Sequence, residues 1–320
     1  GSCRSGDKLR AGFGHNLRRG FNTMREQTKM MYAPFSHPGV TAKGEPRARV
    51  ALSALETLWF NTGTLCNIEC INCYIESSPK NDRLVYLTLE DITFYLDEIE
   101  RDGLATREIG FTGGEPFMNP AMNDILSETL SRGFDVLILT NAMQPMLRPA
   151  VKARLTALVR QFRPQMNFRV SLDHYTAALH DKERGPGSFA KAMEGLVFLT
   201  SIGARLSIAG RTCWHEDERD ARAGYAALFR ELDLPLSAQD ADALTLFPEM
   251  DDETDVPEIT TDCWSILNVD PSTMMCANSR MVVKHKGDAA PSIAACTLLP
   301  YDPRFNLGVT LAEASRDVAL

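Results

Sequence analysis

The sequence is short of the features that would place a chain in a membrane, in an export pathway or on nucleic acid. No stretch approaches the ~20 consecutive apolar residues that span a bilayer. No charged-then-apolar start ends in a small-residue cleavage site. The net charge of −8 is scattered and forms no basic stripe, which makes nucleic acid a poor partner. Internal repeats and low-complexity segments are missing as well. These absences lead us to expect a cytoplasmic globular protein with no membrane partner.

What is present fits that class. The 320 residues suffice for one large domain, or a domain with a smaller appendage. Apolar residues make up 44% and charged residues 24%, ordinary values for a soluble enzyme. Eight cysteines are many for such a chain. Without a secretory start they read as metal-binding thiolates in a reducing compartment, rather than as a disulfide framework. Residues 1–23 have no apolar periodicity and begin with Gly1-Ser2; they read as an expression-vector segment, with Met24 as the natural start. Residues 24–54 are polar, carry Pro34, Pro38, Gly39, Gly44 and Pro46, and form a lead-in.

From residue 55 strand-like and helix-like segments alternate. Residues 56–60 read as a strand. A helix follows, with Thr88 as N-cap, Asp91 three residues on as in a capping box, Ile92, Tyr95, Leu96 and Ile99 at helical spacing, and Gly103 at the C′ position. Strands are expected at 107–112, 135–140, 167–172, 205–209 and 243–247. Helices are expected near 122–132, from Pro149, at 189–200 and at 221–232. Six strands, each followed by a helix, imply a parallel sheet, either an open doubly wound sheet or a barrel. The unusual residues fall just after strand C-termini, where α/β folds build their sites. Residues 249–262 are acidic and read as a linker. Beyond them, 281–285 and 292–299 flank Lys286-Gly287-Asp288 and suggest a hairpin.

Cys66, Cys70 and Cys73 stand in a C-x₃-C-x₂-C loop after the first strand. Three thiolates can hold three irons of a cubane and leave the fourth iron for another ligand. A zinc site would need a further ligand, and none is near in sequence. After the second strand comes Thr112-Gly113-Gly114-Glu115-Pro116. At a strand end, glycines let the backbone approach a ligand closely, and Glu115 can meet a positive amino group.

With these two motifs in this order, residues 55–250 resemble the radical S-adenosylmethionine (SAM) superfamily. The resemblance implies a partial (β/α)₆ TIM-like barrel with a [4Fe–4S] cluster on Cys66, Cys70 and Cys73. It also implies SAM chelated to the open iron, with Gly113, Gly114 and Glu115 at the cofactor's amino group. Family members similar to this chain place polar residues where Ser171 and Asp173 stand, near the carboxylate and ribose. Asp173 could equally cap the next segment. Ile208 matches an isoleucine that packs on adenine, although a strand isoleucine is also ordinary core. Arg211 could pair with the cofactor carboxylate or form a surface salt bridge. The aromatic that many members carry before the third cysteine is replaced by Asn72, with Tyr74 after it; backbone contact to adenine is still implied there. Asn141 is either a turn or a site residue. Cys213 could face substrate, donate a hydrogen atom, ligate a cluster or be structural.

Residues 251–320, with Cys263, Cys276 and Cys296, resemble the first half of the SPASM/twitch extension, which implies an auxiliary iron–sulfur cluster. That extension normally supplies further cysteines, so the resemblance implies either a shortened chain or a cluster with fewer protein ligands. The alternative is three buried thiols. The expected reaction is reductive cleavage of SAM to a 5′-deoxyadenosyl radical that abstracts hydrogen from a peptide or small molecule, as an oxidation or crosslinking. Electrons would come from a low-potential donor such as flavodoxin or ferredoxin. A radical SAM transferase or rearrangement enzyme without auxiliary cluster, or a non-catalytic metal-binding protein, are the competing readings.

Overall fold

The computed structural model describes residues 32–248 and 256–320. The vector segment expected at 1–23 and the first half of the acidic linker lie outside the described residues.

Six segments take parallel strands in chain order: β2 (Thr57–Asn61), β3 (Glu108–Thr112), β4 (Asp135–Thr140), β5 (Met166–Ser171), β6 (Arg205–Arg211) and β7 (Leu244–Phe247). Each pairs with its predecessor, in registers such as Asn61 with Thr112, Phe111 with Ile138, and Val170 with Ile208. Helices provide the returns that parallel pairing needs. They are α1 (Leu89–Asp102), α2 (Met122–Ser131), α3 (Gln144–Leu147), α4 (Pro149–Phe162), α5 (Ala177–Arg184), α6 (Ser188–Ser201) and α7 (Glu218–Glu231).

Local chemistry explains the elements that the sequence predicts. Thr88 caps α1: its Oγ1 accepts from Asp91 N at 3.2 Å, and Asp91 Oδ2 accepts from Thr88 N at 3.0 Å. The α1 residues predicted to face the core, Ile92, Tyr95, Leu96 and Ile99, are all buried, and Gly103 closes the helix at φ 61°. They pack with Phe60 and Phe111 in the main core between sheet and helices. Pro149 opens α4 as expected. The short helices α3 and α5 were not anticipated.

The C-terminal region does not stand apart from the barrel. The predicted hairpin forms as β8 (Ser279–Val283) and β9 (Ser292–Ala294), antiparallel, with Val282 opposite Ile293. Strand β8 also pairs in parallel with β2, Phe60 opposite Val282, so the sheet runs β7-β6-β5-β4-β3-β2-β8-β9. All five residues of β8 are buried, as a strand covered on both faces requires. Arg280 among them donates from Nε to Ala314 O (2.8 Å) and from Nη1 to Cys276 O (2.5 Å) and Ser279 O (2.8 Å).

Two smaller features tie the lead-in to the C-terminal region. A two-residue strand β1 (Arg49–Val50) pairs with β10 (Val318–Ala319). Arg47, buried, pairs with Glu258, whose carboxylate also accepts from Phe35 N and Ala42 N. A further short helix, α8 (Cys263–Leu267), precedes the hairpin. Among the described residues no helix is long and apolar enough to cross a membrane.

Candidate functional site

A cavity of about 440 Å³ opens at the C-terminal ends of β3 to β7, where Thr112, Thr140, Ser171, Gly210 and Phe247 line it. The segment after β2 forms one wall, and Cys66, Cys70 and Cys73 all line the cavity.

This segment is held from several sides. Cys66 N donates to Ser78 O at 3.1 Å and Ile71 N donates to Glu183 O at 3.0 Å. Tyr301 Oη donates to Ile75 O at 2.9 Å, so the C-terminal region also grips it. The loop after β3 is threaded against it: Gly114 N donates to Gly63 O (2.8 Å) and Glu115 N to Leu65 O (3.3 Å). A Cβ on Gly113, whose φ is 141°, would meet Gly63 O at 2.5 Å, and one on Gly114 would meet the Leu65 carbonyl carbon at 2.6 Å. The two glycines are therefore demanded first by the apposition of two backbones, one of them the thiol loop. Both also line the cavity, where a ligand was expected.

Glu115 is placed differently from the expectation. It is not on the cavity wall; it is buried, and its carboxylate accepts from Thr140 Oγ1 (2.8 Å), Asn141 N (2.8 Å) and Phe117 N (3.2 Å). Burial pushes its carboxyl up to about 7 against these three donors. It locks the ends of β3 and β4 together and orients Asn141. Asn141 Nδ2 in turn points to Cys66 Sγ at 3.8 Å and Asn67 Oδ1 at 3.0 Å. Asn141 therefore lines the cavity beside the Cys66 thiol.

Asp173 and Arg211 are already paired within the protein. Arg184, at the end of α5, donates from Nε and Nη2 to Asp173 at 2.6 and 2.9 Å. Burial pushes the Asp173 carboxyl up, but the Arg184 guanidinium beside it prevails and holds it below the usual range. Arg211 donates to Glu183 Oε1 and to Asn72 O, both at 3.0 Å. Glu183 also accepts from Asn72 N at 2.9 Å and Asn72 Nδ2 at 3.2 Å. Asn72 is thereby fixed between two elements, and Tyr74 stands exposed at the rim. Glu183 and Arg184, which bind the thiol loop to β5 and β6, are not singled out by the sequence as site residues.

Ile208 requires a correction. It is fully buried in the main core, while its neighbours Ala209 and Gly210 line the cavity. Alternation along β6 sends Ile208 to the helix side, the side on which a Cβ at Gly210 would meet Tyr225 of α7, and leaves Ala209 as the side chain facing the cavity. Ser171 lines the cavity.

The three thiols fit an iron–sulfur cluster. The ionisation of Cys66, pushed up to about 12 chiefly by burial, also feels Cys70 and Cys73. Amide donors face sulfur at both ends of the motif, Asn141 Nδ2 at Cys66 and Ser77 N at 3.3 Å from Cys73 Sγ. Arg184 supplies positive charge to Cys70. Among the described residues no three His, Cys, Asp or Glu side chains are gathered for a single metal ion. Thiols that each take a different iron need no such convergence.

The C-terminal cysteines divide. Cys276 and Cys296 are partly buried, and the ionisation of Cys276 is raised by burial and by Cys296. Their neighbours Met275, Thr297 and Leu298 line the cavity, placing this pair just behind the wall. Cys263, at the start of α8, is not on the wall; its Sγ lies 3.5 Å from Thr260 Oγ1.

Parallel strands with thiols and a Gly-Gly turn at their C-terminal ends make a partial TIM-like barrel with a candidate cluster site at its mouth. Residues 60–216 match the family model described as the radical SAM superfamily. That stretch, just under half of the chain, is similar to a radical SAM domain. It is 30% identical over 145 residues to the antilisterial bacteriocin subtilosin biosynthesis protein AlbA of Bacillus subtilis, covering 45% of this chain and 30% of AlbA. It is 33% identical over 148 residues to the mycofactocin maturase MftC of Mycobacterium ulcerans, covering 45% of this chain and 37% of MftC. The matched stretch thus spans about a third of these curated relatives. The fold resembles Streptococcus suis SuiB bound to S-adenosylmethionine, with TM-score 0.56, 12% identity, and coverage of 80% of this chain and 63% of SuiB.

Proposed function

We propose that the protein is a radical SAM enzyme that modifies a peptide, with Cys66, Cys70 and Cys73 holding a [4Fe–4S] cluster and SAM occupying the cavity beside them. The observation that carries this reading is the convergence of the three thiols, the Gly113-Gly114 turn and the ends of β3 to β7 on one cavity. When bound, the cluster and SAM supply a 5′-deoxyadenosyl radical at that cavity.

The chain's own residues would position the two cofactors and keep water out. Gly113 and Gly114 allow the backbone of the turn to lie against the thiol loop and still face the ligand. The Asp173–Arg184 and Glu183–Arg211–Asn72 pairings hold the loop rigid against β5 and β6. Such preorganisation limits the geometries open to a reactive species. Ser171, Ala209 and Gly210 leave space on the β5–β6 side for the adenosyl portion. Tyr74, Phe247, Met275 and Leu298 line the cavity while remaining exposed, an apolar rim on which a peptide can lie.

Peptide as the substrate class is supported by the bacteriocin biosynthesis relative AlbA, the maturase relative MftC and a structure of SuiB bound to precursor peptide SuiA. Cys276 and Cys296, behind the Met275–Leu298 wall, are the candidates for an auxiliary cluster able to accept an electron from the substrate, which would make the net reaction oxidative. Flavodoxin or ferredoxin would be the class of reductant. Anaerobic turnover with a deuterated peptide tests this reading. Deuterium appearing in 5′-deoxyadenosine supports it, and 5′-deoxyadenosine formed without deuterium from any supplied peptide rejects the peptide assignment. For the second cluster, about four irons remaining in the Cys66→Ala/Cys70→Ala/Cys73→Ala protein are expected; none remaining would leave Cys276 and Cys296 as plain thiols.

A further inference from the structure

Three arginines line the cavity, and two of them are consumed by the protein: Arg184 by Asp173, and Arg211 by Glu183 and the Asn72 carbonyl. Arg169 differs. It stands in the middle of β5, in register with Leu139 of β4 and Ser207 of β6. Its one side-chain hydrogen bond among the described residues is long, from Nε to Ser207 Oγ at 3.4 Å. The acidic groups whose charge it feels are Glu108, at the start of β3, and Asp242, and neither forms an ion pair with it. Its two terminal NH₂ groups are left with four donors and no hydrogen-bond acceptor among the described residues.

Placement gives those donors a direction. Side chains two apart on a strand share a face, so Arg169 lies below Ser171 on the cavity side of β5, and both line the cavity. Trp59 and Leu139 line it too and supply apolar surface. A guanidinium half removed from water, with its fork unfilled, gains most from an anion that accepts two parallel hydrogen bonds. We propose that Arg169 anchors a carboxylate of the substrate inside the barrel, with the apolar part of the same substrate against Trp59 and Leu139. This rests on the peptide-modifying reading above and specifies its substrate: a peptide that presents a carboxylate, on a side chain or at its chain end, to the barrel interior.

The test is a binding measurement, so it does not depend on turnover. Three blocked pentapeptides serve as probes: one with a central Glu, one with Gln in its place, and the Gln peptide with a free C-terminal carboxylate. Each is titrated calorimetrically into reconstituted, SAM-loaded protein, wild type, Arg169→Met and Arg169→Lys. Wild type is expected to bind one of the charged peptides about tenfold more tightly than the neutral one, the size of one charge-assisted contact. The favoured peptide identifies a side-chain or a terminal carboxylate. Arg169→Met should abolish the preference, Arg169→Lys should retain part of it, and SAM affinity should be unchanged in both. Equal binding of all three peptides by wild type, or a preference that survives in Arg169→Met, overturns the proposal. So does a tenfold loss of SAM affinity in Arg169→Met, which would assign the residue to the cofactor's own carboxylate. A folding defect in Arg169→Met leaves Arg169→Lys to decide, and its binding the charged peptide no better than the neutral one counts against the anchor. Absence of 5′-deoxyadenosine in any protein would reject the radical reading while leaving the peptide preference readable.

Discussion

Gly114→Ala isolates the contact on which the site's geometry rests. The added Cβ would lie 2.6 Å from the Leu65 carbonyl carbon and 2.8 Å from Thr64 O. Both are backbone atoms of the thiol loop, so no side chain can swing aside. Comfortable contact needs ~3.5 Å, and the loop must therefore retreat by about 1 Å. Overpacking of this kind costs about 1–3 kcal/mol, which in a domain of this size lowers the melting temperature by roughly 2–4 °C per kcal/mol. The displaced loop carries Cys66, so iron retention should suffer beyond the loss of stability. Gly103→Ala is the control. Nothing lies within 4 Å of its Cβ, and the cost there comes only from a φ of +61°, about 1 kcal/mol. Melting curves recorded anaerobically on the apoproteins, with iron and sulfide measured after reconstitution, separate the two effects. Both variants should melt earlier, and only Gly114→Ala should retain clearly less iron. Full iron content in Gly114→Ala, with a melting temperature equal to wild type, would refute the reasoning.

Two further outcomes follow from the buried charges. Arg184→Met leaves the buried Asp173 carboxylate without its bidentate partner, a change that costs about 3–5 kcal/mol. Urea unfolding should show this loss, and adding Asp173→Asn should restore part of it; a loss under ~1 kcal/mol would contradict the pairing. His180 is fully buried, and neither ring nitrogen has a hydrogen-bond partner among the described residues. Burial, reinforced by the Arg184 charge, pushes it down to about 4 from 6.5. The unfolded chain then binds a proton between pH 6.5 and 4 that the folded protein refuses, so stability falls as pH drops through that window, by about 3 kcal/mol in all. His180→Phe should flatten that part of the stability–pH curve, and an unchanged curve would show that His180 is not responsible.

The barrel was legible in the sequence because its signals are local. The Thr88–Asp91 box, the α1 stripe and Gly103 specify a helix whatever surrounds it, and strand β4 runs over the predicted 135–140. Helix α5 escaped because its eight residues bury only His180 and Glu183 and show no apolar stripe. The clamp that Glu183 and Arg184 form on the thiol loop escaped with it. The pairing of β8 with β2 was also hidden, since a strand's sequence does not name a partner more than two hundred residues away. Strand β6 extends to Arg211, beyond the predicted end at 209. That extension, with Glu183 beside it, explains why Arg211 braces the protein where a ligand contact had been one expectation. At Ile208 a family likeness named a position, and strand alternation decided which side of the sheet it faces.

The account stands most directly on whether Cys66, Cys70 and Cys73 together make a radical. Reconstituted, reduced wild-type protein and the Cys66→Ala/Cys70→Ala/Cys73→Ala protein, incubated anaerobically with SAM, should differ completely. Wild type should release 5′-deoxyadenosine and the triple variant none. Wild type with a full cluster and no 5′-deoxyadenosine, or equal product from both proteins, would contradict the central claim.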